Sequence, residues 1–108
     1  MAGIQNLAIH KSTSATSFGS GTNIWTADAN YLCSVIATNT NALDAEIYVT
    51  IKTSTGSETG GALIAHKLPL PAYNSYETFR FGINNTDAIY IAGPAGITYF
   101  VQGIEQAG

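Results

Sequence analysis

Apolar and polar residues alternate along much of this chain. In one stretch Ile47, Val49 and Ile51 fall on one side of an extended backbone, while Tyr48 falls on the other. The same period of two returns in several other segments, and the residues there are rich in Ile, Val, Tyr, Phe and Thr. The pattern predicts β-strands that bury one face and leave the other polar or lightly apolar.

Turn signals rich in Gly, Asn, Asp, Ser and Pro separate these segments, as expected between antiparallel strands. Eight strands are predicted, at residues 4–10, 22–26, 31–38, 46–53, 63–68, 76–83, 88–92 and 97–104. We therefore expect an all-β chain, an antiparallel β-sandwich of jelly-roll-like type with seven or eight strands and negligible helix. Residues 1–108 are expected to form one domain, in which residues 1–22 supply a first strand and polar loop or a docking arm.

The alternation also predicts which side chains meet in the core. Residues 31–38 leave two choices, because Leu32, Ser34 and Ile36 lie on one face and a uniformly apolar set with Cys33 lies on the other. We favour the Cys33 side. The predicted core is Val35, Ile47, Val49, Ile51, Phe79, Phe81, Ile89, Ile91, Tyr99 and Val101.

Charge is sparse and scattered. The 108 residues include 4 basic and 7 acidic side chains, which is 10% charged and a net charge of −3, against roughly 25% charged in typical proteins. No basic stripe is present to neutralise phosphates, so nucleic acid is not an expected partner. No apolar run approaches the ~20 residues of a membrane helix, and the start lacks the pattern of a signal peptide. These features predict synthesis in a cytoplasm and a surface partly hidden by other subunits.

Candidate catalytic and metal-binding residues are few. His10 and His66 lie far apart in sequence, and neither has a second ligand at motif spacing. Cys33 is the single cysteine and is expected to be a small buried hydrophobe rather than a reactive thiol. Asp44 and Glu46 are expected to serve a turn and to face solvent. We therefore predict no catalytic residue, no cofactor and no metal site.

The simplest interpretation of the aromatic residues is that they are half-buried residues of the strands. Two functional interpretations stay open beside it. Exposed Tyr and Trp side chains anchor protein interfaces, or they stack on sugar rings. Burial in an oligomer distinguishes the first interpretation, and an exposed flat platform distinguishes the second. The N-terminal segment adds little-charged apolar residues beside a free strand edge, which invites pairing. The candidate interface residues are Ile4, Leu7, Ile9, Trp25, Tyr73 and Tyr76.

Three segments carry a resemblance to a known family. They are NIWTADANYLCSVIATNTNALDAEIYVTIKTS, LPLPAYNSYETF and DAIYIAGPAGITYFVQGIEQ. Together they resemble the small β-sandwich accessory structural proteins of tailed-bacteriophage virions, of the capsid decoration or cement type. The matching positions are residues 33–39, 46–51, 68–72, 87–91 and 102–105. The chain departs from the pattern at Tyr73, where the family has glycine after its proline corner, and at the extra Pro71.

The resemblance implies a virion part without catalytic residues. A capsid decoration protein of this kind binds the outside of the head shell and stabilises it as a homo-oligomer, with a homotrimer expected by analogy. The implied partners are further copies of the chain and the major capsid protein, and the implied location is the capsid surface after synthesis in the host cytoplasm. A neck or tail component of the same virion and a carbohydrate-binding module remain as alternatives.

Overall fold

The structure is a computed structural model that describes the backbone of residues 3–53 and 58–106, and the side chains of these residues except 58–62. This part of the chain contains nine strands and no helix. The strands are β1 (Gln5–Lys11), β2 (Thr22–Thr26), β3 (Tyr31–Asn39), β4 (Ala45–Lys52), β5 (Glu58–Leu70), β6 (Ser75–Glu77), β7 (Phe81–Ile83), β8 (Ala88–Ala92) and β9 (Ile97–Glu105).

The strands form two antiparallel sheets packed face to face. The first sheet has the order β1-β9-β3, with β6 and β7 sharing the edge beyond β3, and the second has the order β2-β8-β4-β5. The chain crosses repeatedly between the two sheets, which is the jelly-roll course. The prediction of an all-β antiparallel sandwich with negligible helix is confirmed, with nine strands in place of seven or eight.

The extra strand arises because the predicted strand at residues 76–83 is broken in the middle. Thr78 turns its side chain inward, where its hydroxyl accepts a hydrogen bond from the Val35 amide at 2.9 Å. The Thr78 amide donates to the Val35 carbonyl, also at 2.9 Å. This interruption shifts the alternation by one residue, so Phe79 is 61% exposed while Phe81 is buried. The assignment of Phe79 to the core was therefore wrong.

The core lies between the two sheets and is formed by the inward side chains of the strands. On β3, Cys33 and Val35 point inward, which confirms the predicted face. The other nine predicted core residues are all buried: Val35, Ile47, Val49, Ile51, Phe81, Ile89, Ile91, Tyr99 and Val101. Alternation was a sufficient guide wherever a strand ran without a break.

The two ends of the sandwich differ in what they carry. β1 begins where β9 finishes, because Gln5 pairs with Gly103. At the opposite end of the strands, four loops meet, and we call this the loop end: residues 12–21, 40–44, 71–74 and 93–96. Backbone hydrogen bonds join these loops, including Thr16 to Gly93 and Thr40 to Gly96.

Candidate functional site

The outer face of the four-stranded sheet is covered in part by the chain itself. The ring of Phe18, in the β1–β2 loop, lies 4.7 Å from the ring of Tyr48 and 5.3 Å from that of His66, centroid to centroid. The ammonium of Lys52 donates to the Ser20 carbonyl at 3.3 Å and lies 4.3 Å from the centre of the Tyr90 ring. This loop therefore covers part of the aromatic surface of the second sheet.

The outer face of the five-stranded sheet is more open and carries an apolar row across three strands. Strand register places Ile9 beside Phe100, and Phe100 beside Ile36. Ile9 is 63% exposed, whereas Phe100 and Ile36 are half-buried. These neighbouring side chains form a small apolar patch on the outer face of the sheet.

A second apolar row crosses the same face near the other end of the strands. Leu32 pairs with Ile104, and both line a shallow hollow with Ile4 and Arg80. Ile4 is 58% exposed. The hollow extends the apolar surface over β1, β9 and β3.

Polar side chains separate the two rows, and they bond to one another. The Ser34 hydroxyl donates to Glu77 Oε2 at 3.1 Å, and Gln102 Nε2 donates to the same oxygen at 3.1 Å and to Ser34 Oγ at 3.2 Å. Ser34 is buried although it points away from the core. Because these groups already have partners within the sheet, excluding water from them costs less than it would for unpaired groups.

We call this surface the open sheet face. Its members are Ile4, Ile9, Leu32, Ile36, Phe100 and Ile104, with Ser34, Glu77 and Gln102 between the rows. The four strands of this surface, β1, β3, β6 and β9, lie in separate parts of the sequence, so no single sequence motif could have identified it. Outward-facing apolar residues at alternate positions were the available signal.

The structure places the six candidate interface residues in several different locations. Ile4 and Ile9 lie on the open sheet face. Leu7 points the other way and packs against the core, because the register of β1 shifts between Asn6 and Ala8. Trp25, on β2, is partly buried, and its ring meets that of Tyr31 edge-on at 5.1 Å and 76°.

The remaining two lie near the loop end. Tyr76 is on the edge strand β6 and is 42% exposed. Tyr73 is in the β5–β6 loop, is 71% exposed, and has a backbone φ of +60°. That angle falls in the left-handed region, which residues other than glycine rarely occupy.

A buried asparagine that the sequence interpretation overlooked organises the loop end. Asn39 is fully buried, and its Nδ2 donates to the carbonyls of Leu43 and Leu70, each at 2.9 Å. Its Oδ1 accepts from the Asn41 amide at 2.9 Å. Asn39 follows the predicted strand at residues 31–38 in a run of Thr and Asn, which resembles many ordinary turns. The bond to Leu70, 31 residues away in sequence, is the contact that this local pattern could not show.

The side chains considered for catalysis or metal binding include a buried one, one hydrogen-bonded to the backbone and one exposed to solvent. Burial raises the pKa of the Cys33 thiol to about 11, so the thiol is protonated at neutral pH. The Tyr31 hydroxyl donates to Asp28 Oδ1 at 2.6 Å, and this hydrogen bond raises the pKa of Tyr31 to about 12. Asp44 Oδ1 accepts from the Ala72 amide at 3.0 Å, and Glu46 is exposed.

Among the residues whose side chains the structure describes, 3–53 and 63–106, no three His, Cys, Asp or Glu side chains are grouped so that they would hold a metal ion. Nor does this part of the chain contain a helix long and apolar enough to cross a membrane.

Comparisons with known proteins support the fold class. No protein-family model and no curated protein matches the sequence. Among solved structures, the chain is similar to a chain of infectious bursal disease virus, Gx strain, with a TM-score of 0.54 and 12% identity, over 97% of this chain and 33% of the viral one. It is also similar to a GH26-CBM35 β-(1,4)-mannanase of Podospora anserina, with a TM-score of 0.44 and 10% identity, over 97% of this chain and 28% of the mannanase.

The chain thus spans about a third of the length of the solved chains it matches. The viral likeness shows a shared β-sandwich fold. At a TM-score of 0.44, the likeness to the mannanase carries no argument. The chain is therefore a jelly-roll β-sandwich with a viral protein among its structural neighbours.

Proposed function

We propose that this chain is a non-enzymatic structural protein of a tailed-bacteriophage virion, a capsid decoration protein that binds the outside of the head shell as a homo-oligomer. The observation that carries the proposal is the open sheet face. The sequence resemblance to virion accessory proteins supports the same interpretation, and the jelly-roll fold is compatible with it.

The open sheet face has the properties of a contact surface between subunits. It presents two apolar rows, and its polar side chains are already bonded within the sheet. Burying apolar surface contributes about 25 cal/mol per Å² before the costs of association are subtracted. Interface cores are also depleted in charge, as this chain is.

We assign this face to contacts between copies of the chain. Ile4, just before β1, and Ile9, on β1, belong to it, so we take the N-terminal segment as an intersubunit element, as expected from the sequence. A homotrimer is the assembly that the family resemblance favours. The major capsid protein is then contacted through another part of the surface.

A carbohydrate-binding module is the second candidate, and the exposed ring of Tyr73 favours it. Trp25 does not add to that interpretation, because its ring packs edge-on against Tyr31. The two functions differ in what occupies the exposed aromatic surface, a protein subunit or a sugar.

An aspartate placed on the open sheet face tests the proposal. Ile9→Asp introduces a charge where a neighbouring copy is expected, so the variant should remain folded but become monomeric and bind shells weakly. Leu63→Asp is the matched control, because Leu63 is an exposed apolar residue on the other sheet, 46% accessible. It should behave like the unchanged protein.

Two measurements provide the test: light scattering over a range of concentrations, and imaging of purified virions for the position of the labelled protein. A protein that stays monomeric at high concentration and is absent from the particles would contradict the proposal. Particle binding that periodate oxidation of surface sugars abolishes would favour the carbohydrate-binding alternative.

A further inference from the structure

Tyr73 adopts a backbone conformation that is unfavourable for its residue type. Its φ of +60° lies in the left-handed region, where the Cβ atom of an L-residue crowds the following carbonyl oxygen. Glycine adopts the same conformation without this crowding. A tyrosine here lowers the stability of the fold relative to a glycine, unless its side chain makes compensating contacts.

Such compensation is not found in the described part of the chain. The Tyr73 side chain is 71% exposed, and among the described side chains of residues 3–53 and 63–106 its hydroxyl has no hydrogen-bond partner and its ring no aromatic neighbour. Strained residues of this kind are frequent at binding sites, where a partner repays the cost.

The loop around Tyr73 is held in place by hydrogen bonds. The Asn74 amide donates to the Pro71 carbonyl at 3.1 Å, and Asn74 Nδ2 donates to the Ala72 carbonyl at 2.9 Å. The Asn39 amide donates to the Asn74 carbonyl at 2.9 Å. The loop is therefore fixed before any partner arrives, which lowers the conformational entropy lost on binding.

A second exposed apolar residue stands on the adjoining loop. Leu43 is 77% exposed, and Asp44, which follows it, accepts the hydrogen bond of the Ala72 amide. Leu43 precedes Asp44, the acceptor in the hydrogen bond that joins the two loops, and Tyr73 follows Ala72, its donor. Two exposed side chains at this tip of the molecule, on loops joined by a hydrogen bond, fit the role of interface anchors.

The polar side chains near this tip favour a protein partner over a sugar. Asn39, Asp44 and Asn74 hydrogen-bond to the backbone of the loops. These bonds leave few groups to bond sugar hydroxyls, and Leu43 offers no flat ring. An apolar pocket on another protein accepts both Leu43 and Tyr73 where a carbonyl at its wall accepts a hydrogen bond from the Tyr73 hydroxyl.

We propose that Tyr73 and Leu43 form a plug that inserts into an apolar pocket of the shell protein, so that the loop end is the side of the molecule that faces the shell. This assignment rests on the proposed function, since it names the shell as the partner. Contacts between copies of the chain are assigned to the open sheet face, so self-association and shell binding use separate surfaces.

Replacing Tyr73 by glycine distinguishes an effect on the stability of the fold from an effect on shell binding. Tyr73→Gly relieves the backbone strain and removes the ring, so its unfolding midpoint in urea should rise while its affinity for shells falls at least tenfold. The shells for this assay are virions assembled without this protein. Lys67→Gly is the matched control, because Lys67 is exposed, has a φ of +50°, and lies outside the loop end on β5. Its midpoint should also rise, with shell binding unchanged.

The possible outcomes are distinct. If the unchanged protein binds shells and Tyr73→Gly binds them equally well, the plug is wrong and the proposed function stands. If the unchanged protein does not bind shells, both proposals are overturned. Binding that disappears after periodate oxidation of the shells would assign Tyr73 to a glycan and would also overturn the plug.

Discussion

Asn39 and Tyr99 show how differently two fully buried polar side chains can be accommodated in this fold. Asn39 makes three hydrogen bonds, all to backbone groups, and so recovers the cost of leaving water. The Tyr99 hydroxyl is also buried, but it has no hydrogen-bond partner in the described part of the chain. Burial raises the pKa of Tyr99 and keeps the hydroxyl protonated. One residue therefore stabilises the loop end, while the other carries an unpaired donor in the core.

Tyr99→Phe should remove that unpaired group with little change of shape. We expect the free energy of unfolding to rise by about 1 kcal/mol, because a buried unsatisfied polar group costs about 1–3 kcal/mol. Tyr31→Phe is the matched control and should lower stability, since the Tyr31 hydroxyl donates to Asp28. Urea unfolding followed by circular dichroism measures both. A loss of stability in Tyr99→Phe would show that its hydroxyl has a partner in the native protein.

Within the strands, two glycines of the five-stranded sheet have opposite surroundings. A Cβ atom added to Gly103 on β9 would lie 2.8 Å from the Leu32 carbonyl oxygen and 3.0 Å from Cys33 Sγ. A Cβ atom added to Gly82 on β7 would meet nothing within 4 Å. Glycine at position 103 therefore leaves room for the Leu32 carbonyl and the Cys33 sulfur of the paired strand β3.

Gly103→Ala should therefore destabilise the protein by about 1–3 kcal/mol through overpacking. Gly82→Ala should leave stability unchanged or raise it slightly, because alanine restricts the unfolded chain. Thermal unfolding of the two variants gives the comparison. Equal melting temperatures would mean that β9 can shift to accommodate the added methyl group.

The strands also show what the sequence could and could not predict. Unbroken alternation placed Val49 and Val101 correctly, because a period of two leaves one apolar face. The break at Thr78 depends on its hydrogen bonds to Val35, which is 43 residues away in sequence, so Phe79 was misplaced. The register shift in β1 that turns Leu7 inward has the same kind of cause, a tertiary constraint that is invisible in the local pattern.

The candidate surfaces were less predictable than the core. Ile4 and Ile9 could be selected as exposed apolar residues, but their neighbours on the open sheet face come from strands far along the chain. Tyr73 was selected as an aromatic candidate and as a departure from the pattern of the family that the chain resembles, which has glycine there, but its backbone conformation could not be predicted. Its positive φ shows why glycine suits that position.

For the molecule as a whole, the sheet order predicts an uneven distribution of local stability. β3, β9, β4 and β8 have strand partners on both sides, whereas β1, β2, β5 and β6 lie at sheet edges. Edge strands open more readily because one side of their backbone lacks partners within the sheet.

Native-state hydrogen exchange should show this difference. The amides of Val35 and Val101, in central strands, should exchange at least ~10-fold more slowly than those of β2 and β6. The amides of Ala8 and Ile9 provide an informative comparison when they are measured at two protein concentrations. Protection of these amides that grows with concentration would indicate that the open sheet face is covered by another copy.

Because β1 begins beside the end of β9, a peptide fused before Gln5 or after Glu105 would leave the sandwich at the same place. That place lies one β3 length away from the loop end, and nine residues at ~3.3 Å each span roughly 26–30 Å. An attached enzyme, antigen or fluorescent label would therefore stand clear of Tyr73 and Leu43. On a particle held through Tyr73 and Leu43, as proposed, the cargo would point outward.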